Sequence, residues 1–499
     1  SVRGGLVMTG CNTRHKFSTP FRDRFHMIQD CDANSLYPST MATLLWITEG
    51  KPSILKGQFS TKEFKERFTH PWAGEDVSEE KLYNDGVIHL TELRCHKESH
   101  IPRLCIKNPK TKLNEWRNWN SKVDTWVNAK DVWDLIDYQD AEILWDKALV
   151  YTGKRCFEIR KCMRELYEFR KPNKKLGVGN VAKLMMNSSY GKATLKPKDE
   201  EILIVDGTKM DDFYSSNGYR IKSIEPMQGK EDPNILEIMK KYMVKVYKKD
   251  TGAVFNMFGS DVLAGSKCLM RRPISLIEKV AEKYGEFPHI FYTDTDSIHV
   301  LGYIVDEAAK KFEKKYGYPM IGNEVGQFHS DFDAPSSFKP GENAIGSYYS
   351  IFNAKKVYVD CLIGDQGSEG PHMRMKGVPN SSIVLQDYED LYDGKKIEKN
   401  LLSFGKISLE IKNGHIKSRK QMKRSLQIRT PEFHPATPEE PPSAQPLEWQ
   451  EWMDGDTQLL ELSDDELTPT QKRERGDDEI DIETDDDEEP VLKIAKIDN

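Results

Sequence analysis

The run HIFYTDTDSIHV, His289 to Val300, constrains this chain most. β-Branched and aromatic residues that favour a strand are interrupted by two aspartates, Asp294 and Asp296. Residues two apart on a strand share a face, so a strand through this run sets two carboxylates side by side. Like charges so placed repel, and the cost makes sense if a divalent cation lies between them. A solvent-facing acidic hairpin is the competing reading, and the run alone does not choose.

Two further segments carry related chemistry. In DANSLYPS, Asp32 to Ser39, a strand ending in a carboxylate is followed by a polar turn, which leaves Asp32 at an exposed edge open to a hard cation. Pro38 sets the chain leaving that turn, and a capped turn before a helix is the plainer reading of the segment by itself. In KLMMNSSYG, Lys183 to Gly191, helical geometry puts Lys183, Asn187 and Tyr190 within roughly 60° of one another. That face offers a cation, an amide and a phenol, a set suited to a nucleoside triphosphate. The alternative is a surface helix whose Leu184, Met185 and Met186 pack elsewhere.

The rest of the chain narrows the class. No apolar run approaches the ~18–20 residues of a membrane span; Met41–Ile47 is short and contains Thr43. No basic-then-apolar leader follows Ser1, so neither a membrane nor a secreted protein is expected. The eight cysteines, at 11, 31, 95, 105, 156, 162, 268 and 361, include no CxxC pair and suit a reducing compartment. Host nucleus or cytoplasm is the expectation, with the nucleus favoured. The net charge of −7 hides an asymmetry: residues 450–499 hold 19 acidic and 5 basic side chains, leaving 61 acidic and 68 basic in 1–449. A body of net charge +7 can hold a polyanion, although an ordinary surface explains it equally well.

At 499 residues the chain suggests about three domains. GVIHLTELRCH, PRLCIK and KKVYVDCLI read as strands; FEIRKCMRELYEFRK, VAKLMMNSSYG and RPISLIEKVAEKYG read as helices, the last ending at Gly285. From about Thr430 the chain turns Pro-rich and then acidic, with too little to bury to offset its ordering entropy, and a disordered tail is expected. Trp449, Trp452, Leu459, Leu460 and Leu462 interrupt the acid and could form a short motif for a partner of unknown kind.

In order, DxxSLYPS, KxxxNSxYG and YxDTDS form the motif signature of family B DNA polymerases, which the chain resembles. It resembles more narrowly the protein-primed branch found in phages, adenoviruses, linear plasmids and self-synthesising transposons. RGG (Arg3, Gly4, Gly5) is similar to that branch's YxGG element, with Val2 in the aromatic position, and Lys356 and Tyr358 to the family's KxY, which steadies the primer terminus. The resemblance implies an α+β right-hand polymerase fold of palm, fingers and thumb with two insertions, followed by the acidic tail. Expected boundaries are palm 1–107, a priming-protein insertion 108–155, fingers 156–196, a second insertion 197–253, palm again 254–379, thumb 380–432 and tail 433–499. Only 31 residues precede Asp32, and their acids, Asp23 and Asp30, do not make an editing nuclease, so a polymerase part without the exonuclease domain is expected.

Carried over by the same resemblance, the mechanism is two-metal phosphoryl transfer. Asp32 and Asp296 with the Ala33 carbonyl would bind two Mg²⁺, for which Mn²⁺ can substitute, and Asp294 would support them. Ser35, Leu36, Tyr37, Lys171, Lys183, Asn187 and Tyr190 would hold the incoming dNTP, Tyr37 as the steric gate beneath the sugar. Arg3, Gly4, Gly5, Gly191, Lys356 and Tyr358 would contact template and primer. Lys417, Arg419, Lys420, Lys423, Arg424 and Arg429 offer a grip on the duplex backbone or a nuclear localisation signal. The function implied is DNA-directed DNA synthesis for a viral or mobile-element genome, with a terminal priming protein as a further partner. Nucleic-acid-primed synthesis is the alternative within enzymes. A catalytically inactive DNA-binding relic ranks lower, because the carboxylates, Lys183 and Tyr37 are intact.

Overall fold

The computed structural model describes residues 5–44, 46–48, 51–72, 82–107, 114–155, 157–174, 176–194, 200–226, 241–248, 256–402, 410–412, 415–417, 421–428 and 449–452. Strand-forming segments from both halves of the chain meet in one antiparallel sheet of nine strands. Its main path runs Val7–Thr9, Tyr292–Asp294, Ser297–Leu301, Ile28–Ala33, Ala344–Ala354, Val357–Gly364 and Glu369–Met375. Phe328–Ser330 pairs with the end of Ile28–Ala33, and His15–Ser18 pairs with Ala344–Ala354.

Alternation sorts the side chains of this sheet. Ile298 and Val300 join the main core with Ile277, Val280 and Ala281 of the 29-residue helix Asn256–Tyr284 and with Ile304, Val305 and Ala308 of the helix Gly302–Tyr316. Ser297 and His299, between and beside them, take the other face. The sequence placed a helix over the last half of Asn256–Tyr284; burial of nearly its whole middle explains why polar residues there did not read as an amphipathic pattern. At Gly265 this helix crosses Leu36–Thr43 so closely that a Cβ would lie 2.5 Å from Thr40 Cγ2. The helices Phe157–Asn173 and Gly177–Thr194 pack on that crossing through Met163, Tyr167, Met186 and Met41.

The expected boundary at 108 is not where the sheets part. Trp46–Thr48, Ser53–Ser60, Tyr83–Cys95, Asn120–Asn128 and Ala141–Arg155 form a second, five-stranded sheet, with its own core around Trp145, Phe64 and Trp133. Tyr83–Cys95 was expected in the palm; its partners lie after residue 119 instead, a long-range pairing that local propensity does not encode. The strands Glu200–Asp206, Ile221–Pro226 and Lys241–Tyr247 form a small sheet that is joined by the helix Met210–Asn217. Beyond 380, the helix Leu385–Tyr392 and the strands Ile397–Leu402 and Gln421–Ile428 pack against the last strands of the nine-stranded sheet through Tyr388, Leu391 and Leu426. Within the stretch expected to be a tail, Trp449–Trp452 pairs as a strand with Ser425–Ile428. Residues 453–499 lie outside the described residues, as do Arg3 and Gly4.

Candidate active site

Ile28–Ala33 delivers Asp32 to the end of its strand, paired with Ser297 on one side and His329 on the other. The turn between Tyr292–Asp294 and Ser297–Leu301 holds Thr295 at φ 64° and lets Asp296 donate its backbone N–H to the Asp294 carbonyl. Asp296 in turn accepts at its carbonyl the N–H of Ala33, 2.8 Å away, which fastens the two carboxylate-bearing segments together. Gly5 lies against this turn, where a Cβ would meet Thr295 Cγ2 at 2.9 Å, and Leu6 accepts a hydrogen bond from Thr295 N–H.

The expectation that Asp294 and Asp296 share a strand face does not hold, because Asp296 sits in the turn and the two-residue period ends at Asp294. Asp294 instead binds Lys356 Nζ through both carboxylate oxygens, at 2.7 and 2.8 Å. Lys356 adopts φ 59° in its own hairpin turn and donates its N–H to Tyr292 Oη. Tyr358 is buried, its ring packed on Tyr292 and His299. The two KxY residues are therefore anchored to the YTDTDS hairpin.

Electrostatics mark this corner as crowded with negative charge. Burial, then Asp296, Asp331 and Asp30, push the Asp32 carboxyl up to about 9, while Lys183 acts in the opposite sense. Burial and Asp294 push Asp296 up to about 6. Sequence reasoning missed two members of the group. One ligand atom from each of Asp32, His329 and Asp331 lie within 4.8 Å of one another. The signal was FHSDF, where His329 and Asp331 stand two apart as Asp294 and Asp296 do; only pairing of Phe328–Ser330 with Asp32's strand gave it meaning. Carboxylates raised by mutual repulsion and by burial fit a divalent cation, whose charge would relieve them.

The dNTP-binding candidates are partly assembled. Ser35, at φ 51°, opens the helix Leu36–Thr43, and the Leu36 side chain is buried in the main core. Tyr37 stacks on Tyr190 with centroids 4.3 Å apart, and burial and that neighbour raise its phenol. Lys183 and Asn187 are exposed on Gly177–Thr194, and nothing approaches the position of a Gly191 Cβ. Of the three apolar residues that the alternative reading packs elsewhere, only Met186 is buried; Leu184 and Met185 are exposed. Lys171 is not open to a phosphate here: it is paired with Glu168 and Glu324, each at 2.8 Å.

These features define a mixed α/β protein with a carboxylate cluster at the end of an antiparallel sheet, overhung by a helix pair that presents a lysine. Residues 25–247 match the family described as DNA polymerase type B, organellar and viral. The match includes Asp32 and the Lys183 helix but ends before the YTDTDS hairpin. The DNA polymerase of Kluyveromyces lactis is 26% identical over 259 residues, 50% of this chain and 23% of that protein. The DNA polymerase of Bacillus phage phi29 is 24% identical over 305 residues, 58% of this chain and 41% of that one. The chain thus spans less than half the length of either relative. A solved structure of phi29 DNA polymerase with primer-template DNA and incoming nucleotide superposes with a TM-score of 0.49 at 14% identity, covering 78% of this chain and 56% of the other.

Proposed function

We propose that the chain is a DNA-directed DNA polymerase that adds deoxynucleotides to a primer 3′-hydroxyl. The observation that carries the reading is the convergence of Asp32 and Asp296 from segments 264 residues apart, with Lys183 close enough to act on Asp32. Asp32 and Asp296, with Asp331, would hold the metal; Asp294 would act at one remove, through Lys356. The chemistry that two Mg²⁺ supply at such a site is activation of a hydroxyl and stabilisation of the departing pyrophosphate. Lys183 would face the triphosphate, Tyr37 and Tyr190 the sugar and base, and Lys356 the primer terminus. Lys171 would have to exchange Glu324 for phosphate as the helix pair closes on substrate.

Template and primer DNA and dNTPs are the partners on this reading. Protein-primed replication of a viral or mobile-element genome, with a terminal priming protein, is its narrower form, supported by the likeness to the phi29 enzyme and the RGG element. Nuclear or cytoplasmic location in a host belongs to the same proposal; among the described residues no helix is long and apolar enough to cross a membrane.

The test is extension of a labelled DNA primer on a DNA template in Mg²⁺ and dNTPs, comparing wild type with Asp32→Asn and Asp296→Asn. Either change should lower the rate by roughly 10³-fold or more, the scale at which a preorganised electrostatic group acts, while primer-template binding persists. Binding without extension by the wild type would favour the inactive relic instead.

A further inference from the structure

At the end of Val7–Thr9 away from the Asp294 turn, a cavity of about 810 Å³ opens between the main sheet and the first insertion. Its walls bring together a thiol and two imidazoles from three distant segments: Cys11, His100 and His289. Cys11 Sγ lies 3.0 Å from His100 Nδ1. The His100 and His289 ring centroids are 3.6 Å apart with planes at 37°, closer than the ~4.5–7 Å of ordinary ring pairs. His289 Nδ1 is buried with no hydrogen-bond partner. Cys11 and Asn12 both hold left-handed backbone, at φ 52° and 54°, a conformation that costs free energy in residues other than glycine.

An activated nucleophile does not account for this group. Burial, then Glu278, hold the Cys11 thiol above its ordinary range, the reverse of what a reactive thiolate needs. A disulfide does not account for it either, since Cys11 is unpaired. Nor is the group part of the polymerase chemistry, which lies at the other end of the strand.

We propose that Cys11, His100 and His289 form a binding site for a borderline-soft divalent cation, Zn²⁺ in preference to Mg²⁺, with Glu282 or water as the fourth ligand. One sulfur and two imidazoles are donors that Zn²⁺ takes and Mg²⁺ does not. Zinc bond lengths of about 2.3 Å to sulfur and 2.0–2.1 Å to nitrogen put neighbouring ligand atoms about 3.5 Å apart. The Cys11–His100 pair needs to widen by only about half an ångström to meet that. His289 must turn about its side-chain torsions to bring Nδ1 in, which would also relieve the ring contact. Binding exchanges the thiol S–H bond for a sulfur–metal bond and releases one proton to solvent. The bound ion would tie the N-terminal segment to the insertion and to the segment that leads into the YTDTDS hairpin.

The test uses the full chain, stripped with chelator and dialysed against buffered Zn²⁺, with bound metal measured by mass spectrometry and Co²⁺ absorption as the report of ligand type. Wild type should bind one Zn²⁺ at this site and show a thiolate-to-cobalt band. Cys11→Ser should abolish the band, and Cys11→Ser and His289→Gln should each weaken Zn²⁺ binding by about tenfold or more. Asp32→Asn should leave the band and the tight Zn²⁺ in place, which separates this site from the carboxylate cluster. Circular dichroism in excess chelator should be the same for wild type and variants, so that lost binding reflects lost ligands. No tight Zn²⁺ in folded wild type, or binding untouched by both variants, would overturn the proposal.

Discussion

Asp294 shows how a single contact reassigns a residue. Its separation from Asp296 suggested a shared face, but the turn divides them: the Asp294 carboxylate meets Lys356, while Asp296 is fastened through its backbone carbonyl to Ala33, next to Asp32. The ion pair is half-exposed on the lysine side, so its contribution to stability is small. Its consequence is placement, holding the lysine's hairpin against the carboxylate hairpin. The family resemblance implies Tyr37 as the steric gate beneath the sugar, and the structure adds its stack on Tyr190. If this stacked pair walls the sugar pocket, Tyr37→Val opens space for a 2′-hydroxyl. Discrimination against ribonucleotides should then fall by roughly 10- to 100-fold, read as the ratio of kcat/KM for dNTP over rNTP, with DNA synthesis retained.

Between elements, the helices Asn256–Tyr284 and Ala129–Gln139 meet through charge rather than oil. Lys130, at the start of the helix Ala129–Gln139, is 2% exposed and paired with Asp85 and Asp261. Lys267 and Arg271 engage Asp131, and Arg271 also reaches Asp134. Buried pairs of this kind add little over a well-packed apolar contact, but removing one partner strands the other. Lys130→Met leaves Asp85 and Asp261 facing each other in the interior, and should cost about 3–5 kcal/mol in denaturant unfolding. Adding Asp85→Asn and Asp261→Asn to that variant should recover part of the loss. A merely apolar interface would show no such recovery.

For the whole molecule, the main sheet carries a buried cation with a pH signature. His299 is fully buried; burial disfavours its charge, but Asp30 and Asp360 outweigh that and raise its pKa to about 9. Asp360 Oδ2 lies 3.2 Å from its Nε2 and also accepts from Ser350 through Oδ1, while Tyr292, Phe352 and Tyr358 pack around the ring. A pKa raised by folding means that the stabilisation is complete below the unfolded value near 6.5 and is lost as pH rises through about 9. The amount at stake is on the order of 3 kcal/mol. Asp30, raised to about 7 chiefly by burial, loses stability over a lower range, between about 4 and 7. The expected outcome is a stability difference between wild type and His299→Gln that is constant up to about pH 6.5 and shrinks toward pH 9.5, measured by thermal unfolding at fixed Mg²⁺. A difference that does not change across that range would mean that His299 is neutral in the fold.

Much of this protein was legible in its residues because the features are local. The three motifs, the helices around 157–194, the strand character of the carboxylate runs and the charge break near residue 450 each depend on neighbours within a dozen positions. Tertiary structure decided what depends on pairing across hundreds of residues. It moved Tyr83–Cys95 into the five-stranded sheet, set His329 and Asp331 beside Asp32, tied Lys356 to Asp294 and brought Cys11, His100 and His289 to one cavity. Side-chain alternation and helical period are written in short stretches of sequence, whereas which strand lies beside which is settled by the burial and hydrogen bonding of the whole chain at once.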